Sequence, residues 1–165
     1  MGIDPLLKSR LRRTGDCIVT SGAEGETLTQ ILLDFSNVGW FDVRQDKSEK
    51  SQTLKLAGAK RIDFVVGWRG ISLLLDTKCY APLRIDEDGT MTFGLTDVEL
   101  MELRSTGEMF GMTVAVIFWH RKHPQEIYVI ETIDAFQDED VVFGGPGRSA
   151  RFEQKDICHL IDEDH

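Results

Sequence analysis

Between residues 61 and 80 the chain reads "RIDFVVGWRGISLLLDTKCY", two runs rich in apolar and β-branched residues separated by "GWRG". Runs of that composition around a tight glycine-containing turn predict an antiparallel hairpin. Successive side chains on a strand point to opposite faces. Ser72, Leu74, Asp76 and Lys78 therefore share one face of the second strand, and Ile71, Leu73, Leu75 and Thr77 the other. Pairing through the turn from Gly67 to Gly70 makes Asp63 and Asp76 near neighbours across the ladder. Two carboxylates held together in a partly desolvated place repel unless a proton or a cation sits between them. Hard oxygen ligands of this kind suit magnesium or manganese. Lys78 adds a donor able to hold an attacking water or steady a negative transition state.

The flanking sequence builds a sheet around this hairpin. "GAEGETLTQILLDFSNVGW" predicts a helix over about residues 22–37, with Ser21 as N-cap, a stop at Asn37 to Gly39, and Leu28, Ile31, Leu32 and Phe35 facing inward. Glu24, four residues before Leu28, falls on that inward stripe and brings a third acid to the cluster, whereas Glu26 points away. A strand follows at 40–45, then the polar stretch "DKSEKSQ" reads as a loop. After the hairpin, "APLRIDEDGTMTFG" is loop-like with a short strand near 90–93. Thr96 caps a second helix with Leu100, Leu103 and Phe110 inward. "MTVAVIFWH" is apolar enough for an interior strand covered on both faces. "EIYVIE" returns after the turn "RKHPQ"; "GGPGRSA" reads as a connector and "RFEQKDICHLI" as a short terminal helix. Helix, three strands, helix, two strands predicts an α/β fold with a central mixed sheet flanked by helices. The core domain spans 1–136, including an N-terminal extension at 1–19. Residues 137–165 form a C-terminal extension packed on the core or trailing from it.

Composition narrows the function classes. A length of 165 residues suits one domain. No apolar run reaches the roughly 18 residues of a membrane span, so a soluble, cytoplasmic protein is expected, without membrane partners. Cys17, Cys79 and Cys158 show no CxxC spacing and read as reduced thiols. His120 and His123 are too loosely placed for a zinc site and belong to a basic turn; Trp40, Trp68 and Trp119 read as packing. The formal charge of −9 counts against a surface that binds nucleic acid over its whole extent. Basic clusters remain at the N-terminus, at Lys60 and Arg61, and in "HRKH" at 120–123.

An Asp, a hairpin, then Asp or Glu, any residue and Lys resembles the PD-(D/E)xK nuclease signature, here "IDFVVGWRGISLLLDTK". With "GAEGETLTQIL" ahead and "VELMELRSTGEMFGMTVAVIF" behind, residues 20–131 resemble the archaeal Holliday-junction resolvases and their restriction-endonuclease-like core. The resemblance implies a metal-dependent nuclease acting on DNA rather than RNA, structure-specific and dimeric. Its metal would be Mg2+ or Mn2+, held by Asp63, Asp76, Glu24 and the main-chain carbonyl of Thr77, with Lys78 as the motif lysine. Ile62 stands where the motif name has proline, and the second acid is Asp. Lys60, Arg61, Arg69, Arg121 and Lys122 are the expected nucleic-acid contacts, positioning the backbone rather than reading bases. The alternative is an inactive scaffold of the same fold, its acidic surface binding a basic partner as an inhibitor or immunity-type protein does.

Overall fold

The hairpin forms, and the rest of the chain is arranged on it. The structure, a computed structural model, describes residues 23–43, 50–122 and 128–153 with Leu6, and of residues 23 and 24 the backbone alone. In chain order the elements are α1 (Ala23–Phe35), β1 (Gly39–Asp42), α2 (Gln52–Ala57), β2 (Phe64–Trp68), β3 (Ile71–Tyr80), β4 (Arg84–Ile85), β5 (Met91–Thr96) and α3 (Asp97–Phe110). Then follow β6 (Thr113–His120), β7 (Tyr128–Thr132), a 3-10 turn (Ile133–Ala135), β8 (Asp138–Val142) and β9 (Gly145–Phe152).

β2 and β3 pair antiparallel from Trp68 opposite Ile71 to Phe64 opposite Leu75. Arg69 and Gly70 close the turn with φ of 48° and 83°, the left-handed pair that a two-residue turn needs to match strand twist. Gly70 adopts it freely, and Arg69 lays its guanidinium over the Trp68 ring, 4.6 Å from the centroid. β6 runs parallel to β3 from Leu73 opposite Thr113 to Tyr80 opposite His120. A parallel neighbour requires a crossover, and α3 lies in that connection. The result is a five-stranded mixed sheet of order β1-β2-β3-β6-β7.

The sheet separates two cores. Under α1, Leu28, Leu32 and Leu33 pack on Phe64, Leu73, Leu75, Ile117 and Trp119. On the opposite face Leu74, Val116 and Phe118 meet Leu100 and Leu103 of α3 and, beyond them, Phe93, Leu95 and Phe152. This explains the unbroken apolar run of β6, which is buried on both sides. Phe93, Leu95 and Phe152 belong to a second sheet of order β4-β5-β9-β8. Among the described residues no helix is long and apolar enough to cross a membrane.

Three expectations are corrected. "GGPGRSA" is not a connector: Phe143 and Gly144, with φ of 52° and 83°, form a hairpin turn, and Gly145 onward is β9, paired with β5 from Thr96 opposite Gly147 to Met91 opposite Phe152. Its glycines serve a turn and a close approach, since a Cβ on Gly147 would lie 2.4 Å from the Leu95 carbonyl oxygen. Arg151 and Phe152 are accordingly strand rather than helix, and the remainder of the expected terminal helix, 154–161, lies outside the described residues. Second, the loop ends in a helix, α2, capped by Ser51 accepting from the Leu54 N–H and by Gly58 at φ 69°. None of its residues is buried, so it leaves no apolar periodicity in the sequence. Third, Phe110 is 57% exposed. At that end of α3 the inward positions are Thr106 and Gly107, whose Cβ would lie 3.0 Å from both the Met112 carbonyl and Val114.

Gly147→Ala is expected to destabilise the fold by about 2 kcal/mol or more through overpacking against β5. Gly145→Ala, with open space at its Cβ, should change stability by less than about 0.5 kcal/mol. Urea unfolding of both variants checks this, and equal midpoints would contradict the placement of β9.

Candidate functional site

The β2–β3 ladder extends one residue beyond Phe64, and this brings the two predicted carboxylates together. The Asp63 N–H donates to the Leu75 carbonyl at 3.2 Å. Its Oδ2 accepts from the Thr77 N–H at 2.7 Å. Asp76, 3% exposed, and Lys78, 9% exposed, point to the α3 face with Leu74, as strand alternation requires.

On that face the charges close into a ring. Lys78 Nζ lies 2.9 Å from Asp76 Oδ2 and contacts Glu99 Oε1; Lys60 Nζ lies 2.7 Å from the same Glu99 oxygen and 3.4 Å from Asp76 Oδ2. Two ammonium groups thus alternate with two carboxylates. Local structure sets each member. Thr96 caps α3 by accepting from the Glu99 N–H, which fixes the first turn and the position of Glu99. Thr106, two turns later, accepts from the Lys60 N–H at 2.8 Å and donates to the Lys60 carbonyl at 2.6 Å. α3 therefore holds both Glu99 and the backbone of Lys60. The Tyr80 ring centroid is 6.0 Å from Lys78 Nζ, and burial raises the Tyr80 hydroxyl pKa.

The electrostatics distinguish the ring from Asp63. Burial alone would lower the Lys78 pKa, but Asp76 and Glu99 outweigh it and hold the ammonium above its ordinary value. Burial pushes Glu99 up, and Lys78 with Lys60 more than reverses that, leaving it below its ordinary value. Among the described residues no cation offsets Asp63 in this way. Burial, then the charge of Asp76, push it up to about 7, against the opposing Thr77 N–H.

The other expected residues divide. A Cβ on Gly25 would lie 3.0 Å from the Thr77 methyl and within 3.6 Å of Cys79 and Trp119, so the first turn of α1 lies against this segment of β3 from the opposite face. The side chain of Glu24 lies outside the described residues. Glu26, expected to point away, is near enough for its charge to raise Asp63 further. Arg121 and Lys122 are exposed at the turn after β6, where the Arg121 N–H donates to the Tyr80 carbonyl, two residues beyond Lys78. Arg61 is half-buried next to Lys60. Arg69 is not brought to the site: it sits at the hairpin tip, six residues or about 20 Å from Asp63. Nδ1 of the buried His120 accepts from the Lys122 N–H, and His123 lies outside the described residues. Sequence reasoning missed Glu99, although Thr96-x-x-Glu99 is a legible capping pattern. Among the described residues no three His, Cys, Asp or Glu side chains gather as a metal site.

No protein-family model matches the sequence, and no curated protein sequence matches it. Among solved structures the chain is similar to Hjc of Archaeoglobus fulgidus, a Holliday junction resolvase from an archaeal hyperthermophile. The TM-score is 0.53 at 14% identity, covering 83% of this chain and 89% of that one. The likeness is one of fold, a mixed α+β architecture whose central sheet is flanked by helices.

A carboxyl at about 7 when folded and 3.8 when unfolded keeps its proton longer in the folded state. Its contribution to stability is therefore full below about 4 and is lost as pH rises through 7. In EDTA, Asp63→Asn is expected to exceed wild type by roughly 1–2 kcal/mol at pH 8, the gain fading toward pH 4; a pH-independent difference in urea unfolding would contradict the pairing with Asp76. Glu99 has the opposite sign, giving stability above the unfolded value that is lost as pH falls through its lowered folded value. Glu99→Gln should lower stability at pH 7 by about 1–3 kcal/mol, the deficit closing in acid.

Proposed function

We propose that the chain is a metal-dependent nuclease that hydrolyses phosphodiester bonds, of DNA rather than RNA, with structured substrates such as four-way junctions as the first candidates. The observation that carries this reading is the meeting of Asp63, Asp76 and Lys78 at one end of the β2–β3 hairpin, in a fold similar to that of a resolvase.

The donor set fits a hard divalent cation, magnesium or manganese. Asp63 is pushed up by burial and by a neighbouring carboxylate, and a cation between the two acids would relieve that repulsion. Asp63, Asp76 and the Thr77 carbonyl would hold it, with Glu24 from α1 as the further acid. When bound, the ion supplies positive charge at the phosphate and lowers the pKa of water. Lys78 stays an ammonium, because Asp76 and Glu99 favour its charged form. It therefore acts as a donor that orients the attacking water and stabilises charge in the transition state, not as a general base. Glu99 keeps Lys78 aimed and brings Lys60 beside it. Arg121 and Lys122, at the same end of β3 and β6, suit contacts to the phosphate backbone. A homodimer would bring two such sites to a junction. The net charge of −9 favours a second reading, an inactive scaffold that binds a basic protein.

Labelled duplex and four-way-junction DNA with magnesium separates the two. Cleavage is expected for wild type, with a loss of about 100-fold or more in Asp76→Asn, Asp63→Asn and Lys78→Ala. Manganese should raise the melting temperature of wild type and not of Asp76→Asn. Equal rates in all four proteins, with no metal-dependent shift, would leave the binding scaffold as the reading.

A further inference from the structure

Beside the site lies a cavity of about 310 Å³, walled by Leu54, Val65, Leu74, Phe110 and Met112. It shares a wall with the charged ring. Leu74 stands two residues before Asp76 on the same face of β3, about 7 Å along the strand. Lys60 lines the cavity and also reaches Asp76 and Glu99. Two further properties set the cavity apart from ordinary packing space. Phe110, whose spacing predicts an inward position, is instead 57% exposed on its lining. Lys50, Lys60 and Arg61 line the same space in a chain whose net charge is −9. The Thr106 hydroxyl on its wall is already bonded to the Lys60 backbone, and Lys50 Nζ to the Ala59 carbonyl. What the walls offer is apolar surface, an aromatic ring and positive charge.

We infer that this cavity receives one unpaired nucleobase of the strand whose phosphate lies at Lys60 and Lys78, with Phe110 as the ring on which the base stacks. The inference rests on the nuclease reading and adds to it a preference for nucleic acid with an unpaired base next to the cleaved phosphate. Every base has a π-face, so an aromatic wall accepts bases with little regard to identity. Lysine and arginine along the same lining take the flanking phosphates. A base within a continuous duplex is stacked on its neighbours and enters such a hole only by being extruded.

Fluorescence anisotropy of the full chain, with calcium in place of magnesium, tests this on three labelled duplexes: one with a single unpaired thymine, one with an abasic residue at that position, and one fully paired. The unpaired thymine is expected to tighten binding about tenfold over the abasic duplex. Phe110→Ala should bring that ratio close to one while leaving affinity for the paired duplex unchanged, and Phe110→Trp should preserve it. Phe110 is exposed, so both variants should melt like wild type. Equal affinity for base and abasic duplexes, or a preference that survives Phe110→Ala, overturns the assignment. Magnesium-dependent cleavage measured in parallel separates it from the nuclease reading. Cleavage without base preference overturns the cavity alone, base preference without cleavage supports the cavity and removes the chemistry, and no binding of any duplex overturns both.

Discussion

A slip of one residue in the β2–β3 ladder would turn Asp76 and Lys78 toward the underside of α1 and send Leu75 into the charged ring. Side-chain direction on a strand has period two, so such a slip exchanges the faces wholesale. The turn at Arg69 and Gly70 prevents it, because two consecutive left-handed residues leave a two-residue loop and one register. The meeting of Asp63 with Asp76 is a consequence of that register, transmitted along five residue pairs. β6 then inherits it through its parallel pairing with β3, and α3, lying between them in the chain, is brought over the face that carries Asp76 and Lys78.

Gathering four charges in one place, two of them buried, is tolerable only because they alternate in sign. Removing one partner of such a set leaves an uncompensated charge in a poorly solvated place, whereas the complete set screens itself. Asp63 stands outside this arrangement. Among the described residues it accepts from one main-chain N–H and feels the charges of Asp76 and Glu26. Alternating strand geometry supplies a balanced half and an unbalanced half side by side, and the unbalanced half is where the proposed cation would gain most.

The sequence made the hairpin, its turn and the convergence of Asp63 with Asp76 legible because they follow from local rules: period two, glycine at a left-handed position, and a count of residues across a turn. The cap at Thr96 and the interior run of β6 were legible for the same reason. What depends on distant partners was not. β9 has the composition of a linker, and only the backbone of β5 at 2.4 Å from its absent Cβ shows why Gly147 is there. Phe110 obeys the spacing of Leu103 yet lies where Thr106 and Gly107 have taken the core contact. Glu99 and Lys60 are separated by 39 residues, and no spacing rule connects a helix's first turn to a lysine ahead of a hairpin.

The two faces of β3 are held by different kinds of force, and the site requires both. On the α1 face Thr29, fully buried, donates to the Gly25 carbonyl at 2.7 Å and accepts from Trp119 Nε1 at 2.9 Å. A hydroxyl has one proton to give, so the 3.1 Å contact with Thr77 assigns the donor role to Thr77. Thr77 is thereby fixed by its side chain from below while its N–H is fixed by Asp63. A main chain held in this way has little freedom to tilt Asp76 or Lys78, which flank it. Apolar packing alone would allow such tilting, since dispersion contacts are weakly directional. Directed hydrogen bonds on the face away from the charges are what keep the charges aimed, which is the preorganisation that the proposed hydrolysis would depend on.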